Sequence, residues 1–127
     1  MKFADGFWLN QKGYEVNYAS QAYEIKTGKN YINVLATSTY IQNRGMTLGG
    51  PVLDITYSCT QKDVIKVTVD HYKGTLDNMP KFELNEDQGF VPEIVEGDDY
   101  FELIAGDTKV HISKFAWNVQ FYYKDKK

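Results

Sequence analysis

The chain has 127 residues, enough for one domain with a real core, and its 43% hydrophobic and 24% charged content excludes a disordered polymer. A formal net charge of -3 and a pI near 5.3 argue against nucleic acid or an anionic membrane as the main partner. The opening Met1-Lys2-Phe3-Ala4-Asp5-Gly6 has no apolar run of the signal-peptide kind, no stretch is long enough to span a bilayer, and lone Cys59 has no internal disulfide partner; a cytoplasmic location is the expectation.

Period-two alternation dominates the chain in order. Ala22-Tyr23-Glu24-Ile25-Lys26 alternates, Thr27-Gly28-Lys29-Asn30 supplies a turn, and Tyr31-Ile32-Asn33-Val34-Leu35-Ala36 resumes, which predicts a hairpin. From Ile41 to Pro51 the pattern breaks around Gly45, Gly49 and Gly50, marking a candidate mobile loop. Leu53, Ile55 and Tyr57 then alternate up to the turn Gln61-Lys62-Asp63. Ile65, Val67 and Val69 follow, with Lys66, Thr68 and Asp70 facing outward between them. Lys73 to Asn85 is irregular. Tyr100 to Ala105 is a further strand, and Gly106-Asp107 turns into a last hairpin built on Val110 and Ile112, then Trp117, Val119 and Phe121. The hairpin ends in Lys124-Asp125-Lys126-Lys127, a polar group that suits a turn before another strand. No segment of ten or more residues holds a helical period. Eight to ten such strands predict an all-β sandwich or barrel.

The residues offer little chemistry of their own. His71 and His111 sit at strand positions without metal-ligand spacing, and no serine has nucleophile-elbow context. Glu96-Gly97-Asp98-Asp99 reads as a solvated turn in preference to a hard-cation site. Cys59 reads as a small buried apolar residue and Trp117 as core. No pair of carboxylates stands out for glycoside chemistry, and no catalytic residue, metal or cofactor is assigned. The aromatic share of 15%, with 10 Tyr, suits strands and also sugar surfaces; Trp8 is the candidate sugar platform.

Met1-Lys2-Phe3-Ala4-Asp5-Gly6-Phe7-Trp8-Leu9, then Val67-Thr68-Val69-Asp70-His71-Tyr72-Lys73-Gly74 with Asp77-Asn78 and Pro80, and finally Val110-His111-Ile112-Ser113-Lys114 with Trp117 and Phe121, together resemble the N-terminal region of α-xylosidases in glycoside hydrolase family 31. The resemblance covers essentially the whole chain in order, residues 1–127. It implies a β-sandwich similar to galactose mutarotase, shortened relative to the family, placed ahead of a (β/α)8 barrel that carries two catalytic aspartates. A barrel takes about 250 residues, so this chain alone is expected to hydrolyse nothing. Its expected partners are the remainder of a parent glycosidase, that enzyme's carbohydrate substrate and further copies of itself. The resemblance also makes the loop of Arg44, Thr47, Leu48, Gly49 and Gly50 a candidate cleft or interface loop, with Gly49-Gly50 standing where a relative would carry an acidic side chain. A free-standing carbohydrate-binding module is the second reading. A small lipid-binding barrel is the third, weakened because Tyr14 to Ile32 shows alternation where such barrels have a helical lid.

Overall fold

The computed structural model describes residues 10–71, 74, 82–87 and 89–127. Among them eight strands form two antiparallel four-stranded sheets. The first sheet runs in chain order through β1 (Gln21–Thr27), β2 (Tyr31–Thr37), β3 (Val52–Gln61) and β4 (Val64–Asp70); the second through β5 (Glu93–Glu96), β6 (Tyr100–Ala105), β7 (Thr108–Ser113) and β8 (Val119–Tyr123). The sheets pack face to face, β3 against β6 and β4 against β7, giving an all-β sandwich, one of the two architectures that the alternation allows.

Registers explain which side chains meet. Ile32 opposes Tyr57, Val34 opposes Ile55 and Ala36 opposes Leu53, so the β-branched positions of β2 share one face with those of β3. On the other sheet Leu103 opposes Val110, and Phe101 opposes Ile112. These residues form one core, in which Ile32, Val34, Leu103, Val110 and Ile112 have no exposed surface. The cleanly alternating first strand needs one correction. A bulge between Ala22 and Glu24 puts Ala22 and Ile25 on the same inner face and turns Tyr23 out to solvent.

Two hairpins use the same device. In each, a glycine N–H donates to the carbonyl of a tyrosine three residues on, Gly28 to Tyr31 and Gly97 to Tyr100, both at 2.9 Å. A Cβ on either glycine would collide with that tyrosine's ring, so the ring lies over bare backbone. The acidic group at Glu96 is therefore the turn between β5 and β6, with Glu96 paired to Lys114 at 2.9 Å.

Other expectations shift at the margins. Val67 and Val69 point inward yet are 44% and 55% exposed, because β4 is an edge strand with little above it. Phe121 is likewise 48% exposed, on edge strand β8, with a tilted ring contact to Tyr57 of the core. Trp117 packs partly buried against the core from the β7–β8 connection, outside any strand. That connection crosses to the first sheet, where Ala22 N–H donates to Phe115 and Trp117 N–H to Ser20. His71 lies one residue beyond β4, exposed.

Burial holds two protons in the folded chain. The Tyr57 hydroxyl is pushed from 10.0 up to about 12 and the Cys59 thiol from 9.0 up to about 11, in both cases because removal from water disfavours the charged form. Both folded values lie above the unfolded ones. The stabilisation is thus complete below pH 9 and is lost as pH rises through the window from 9 to about 12. A melting series across that window is expected to fall, by about 2–3 kcal/mol for Tyr57 alone, and Tyr57→Phe is expected to flatten it. An unchanged slope in that variant would rule out Tyr57 as the source.

Candidate functional site

The segment joining β2 to β3 is built to a definite shape by short-range hydrogen bonds. Asn43 caps a 3-10 turn at Arg44–Leu48 by accepting the Gly45 N–H on its Oδ1 at 3.0 Å. Thr47 Oγ1 donates back to the Arg44 carbonyl at 2.9 Å, and Gly49 N–H closes the turn on Met46 at 3.2 Å. Two ties anchor it to the sheet. Ser38 N–H donates to Pro51, and Ile41 N–H donates to Gln21 Oε1 on β1 at 2.8 Å.

This turn faces the bulge of β1 across a surface depression of about 270 Å³ lined by Tyr23, Ile41, Gln42, Asn43, Arg44 and Thr47. The Tyr23 ring is 52% exposed and has no ring or cation against it among the described residues. The Arg44 guanidinium has no ion-pair partner among them either. The Asn43 oxygen is taken by its cap, which leaves its amide nitrogen to donate. An open aromatic face beside a fixed fork of donors and two side-chain amides can stack on a flat apolar ring face and hydrogen-bond hydroxyls at its rim.

Of the residues named from sequence, Arg44 and Thr47 line this depression. Leu48, 93% exposed, and Gly49 and Gly50 stand outside its lining. Gly50 has a steric reason to lack a side chain, since a Cβ there would collide with Ser38 Oγ. Trp8 lies outside the described residues. Simple alternation conceals the bulge that turns Tyr23 toward this depression; the Asn43-x-Gly45 spacing is the one local sign of an ordered cap.

The outer face of the second sheet is richer in charge but closed on itself. Glu102 sits between Lys109 at 3.6 Å and His111 Nδ1 at 3.1 Å, and Lys109 lies over the Tyr122 ring. Tyr100 is covered by Gly97 on one side and by the stacked His111 ring at 4.6 Å on the other. These groups satisfy one another and present no open aromatic face. Among the described residues no three His, Cys, Asp or Glu side chains converge as a metal site, and no helix is long and apolar enough to cross a membrane.

No protein-family model matches the chain. It is 32% identical over 112 residues to α-xylosidase XylQ of Lactiplantibacillus pentosus, a match spanning 87% of this chain and 14% of that protein. It is 30% identical over 89 residues to an α-xylosidase of Emericella nidulans, covering 70% of this chain and 11% of the relative. The chain is therefore similar, over most of its own length, to about one seventh or less of the length of two α-xylosidases.

Proposed function

We propose that this chain is the non-catalytic N-terminal β-sandwich of a retaining α-glycosidase of the α-xylosidase or α-glucosidase type, in glycoside hydrolase family 31, acting in the cytoplasm. Its role is to support a barrel domain's active-site cleft, to contribute the β2–β3 turn to the rim of that cleft and to take part in oligomer contacts. The observation that carries the reading is the match of 87% of this chain to 14% of an α-xylosidase. A two-sheet sandwich accounts for a piece of that size as a unit with its own core. In this division of labour a retaining mechanism needs a nucleophile and an acid/base from elsewhere in the parent.

Two measurements test it. The purified 127-residue chain is expected to leave an aryl α-xyloside and an aryl α-glucoside uncleaved above a mock preparation; cleavage would end the non-catalytic assignment. In the intact parent, Arg44→Ala is expected to raise KM roughly tenfold with kcat little changed, the loss of one charge-assisted hydrogen bond to bound sugar. An unchanged KM would remove the turn from the cleft while leaving the domain assignment standing.

The exposed Tyr23 ring also favours a second reading, a carbohydrate-binding module that works alone. It predicts that sugar binds the isolated chain and that Tyr23→Ala abolishes the binding without unfolding.

A further inference from the structure

A second depression opens where the margin of the first sheet meets the β5–β6 end of the second, about 290 Å³ in volume and lined by Ile25, Glu96, Phe101, Lys114 and Phe115. Its mouth is built from the short connection between β7 and β8, which is held along its length. Lys114 N–H donates to the Asp99 carbonyl at 2.8 Å, and the Phe115 carbonyl accepts the Ala22 N–H at 3.0 Å. Ala116 pairs with Gln21, and Trp117 N–H donates to Ser20. Phe115 is nevertheless 69% exposed, with no ring or cation against it among the described residues. A fixed backbone that holds a large aromatic ring out beside a depression is a preformed stacking face.

Beside that ring stands an ion pair with capacity to spare. Lys114 Nζ sits 4.7 Å from the centre of the Phe101 ring and 2.9 Å from Glu96 Oε1, so its ammonium is fixed from two sides. The Glu96 side chain is 64% exposed, and Lys114 is its one partner among the described residues. An ammonium carries three N–H donors and a carboxylate two acceptor oxygens, so a single contact between them leaves both able to bond again. The pair also sets what can bind. An anion that reached Lys114 would meet the Glu96 carboxylate at once. A hydrocarbon would strip water from both charges and return no hydrogen bond. A neutral ring with one apolar face and hydroxyls at its rim satisfies both conditions.

We propose that this depression binds a neutral pyranose. The apolar face of the sugar stacks on Phe115, one hydroxyl accepts from Lys114, and the hydroxyl on the neighbouring carbon donates to Glu96. The 2.9 Å between Nζ and Oε1 is close to the separation of oxygens on adjacent ring carbons, so a vicinal diol meets donor and acceptor together and the ion pair stays intact. Ile25 and Phe101 supply the apolar floor. This site shares no lining residue with the Tyr23 depression. It needs no barrel domain, and it is independent of both readings given above for the chain.

Titration of the isotopically labelled 127-residue chain with methyl α-D-glucopyranoside, followed by amide chemical shifts, reads the result residue by residue. Saturable shifts are expected at Ile25, Glu96, Lys114 and Phe115 with a Kd of about 1 mM, the affinity that ordinary ligand efficiency gives a ring of this size. Phe115→Ala is expected to weaken binding about tenfold, and Phe115→Tyr, which keeps a stacking face, to retain it. Both are expected to melt like the parent chain, because the ring stands mostly in water. Lys114→Met keeps an apolar stem over Phe101, loses the donors and is expected to weaken binding about tenfold. Tyr23→Ala is expected to leave the shifts at Lys114 and Phe115 in place. No shift at these residues at ten times the expected Kd, or shifts confined to Tyr23 and Arg44, would overturn the proposal. So would an unchanged Kd in Phe115→Ala or Lys114→Met, or equal shifts with inorganic phosphate.

Discussion

Leu103→Ala is expected to lower the stability of this sandwich by about 3–4 kcal/mol and its melting temperature by roughly 10–20 °C. Leu103 has no exposed surface and sits mid-strand on β6, between Ile94 of β5 and Val110 of β7. Across the core, β6 faces β3, which contributes Ile55 and Tyr57. Truncation there removes methyl groups from a site walled on every side by strands hydrogen-bonded into their sheets, and such walls collapse little. The loss is a large fraction of a typical domain's 5–15 kcal/mol. Phe121→Ala makes the control, because that larger ring is 48% exposed on edge strand β8. Its cost is expected to be less than half as great. The check is urea unfolding followed by circular dichroism, with midpoints shifting at constant slope. Equal losses at the two positions would mean that the core does not centre on β6.

The contrast between Leu103 and Phe121 also shows where sequence reading succeeds and fails in this chain. Alternation identifies the face a residue belongs to, and it placed Val110, Ile112, Ile55 and Tyr57 inward, where they are found. Whether an inward face is covered depends on the neighbouring sheet, which no local pattern records. Val67, Val69 and Phe121 thus face inward and remain half exposed. The hairpins were legible because Gly28 and Gly106 punctuate them; β5 was not, being four residues long with a glutamate at either end. A bulge leaves even less trace, since it adds one residue without altering composition. That is why the candidate site was half legible. Arg44 and Thr47 fall in a visibly broken segment, whereas Tyr23, the ring they sit beside, occupies a strand that reads as regular.

Asp63→Ala is expected to cost about 2–3 kcal/mol, a large effect for an exposed residue, because Asp63 joins the two sheets at one end of the sandwich. Its N–H donates to the Ala105 carbonyl at 2.9 Å, its Oδ1 accepts the Asp107 N–H at 2.6 Å, and its carbonyl accepts from Thr108 Oγ1 at 3.0 Å. The turn between β3 and β4 is thereby clipped to the turn between β6 and β7. Two backbone demands accompany the clip. Asp63 adopts φ 64, a region that aspartate and asparagine tolerate better than alanine, and Gly106 adopts φ 71 with its bare Cα against the Asp63 carboxylate. The variants separate these contributions. Asp63→Asn keeps both the acceptor and the tolerance of positive φ and is expected to stay within about 0.5 kcal/mol of the parent chain. Asp63→Gly relieves the backbone but loses the acceptor, for an expected cost near 1 kcal/mol. Gly106→Ala introduces both strain and a collision with Asp63 Oδ1, so in combination with Asp63→Ala it is expected to cost less than the sum of the single changes. Unfolding midpoints of the parent chain and the five variants decide it. Additive losses would mean that the two turns are stabilised separately, and an Asp63→Asn variant as weak as Asp63→Ala would remove the side-chain oxygen from the account.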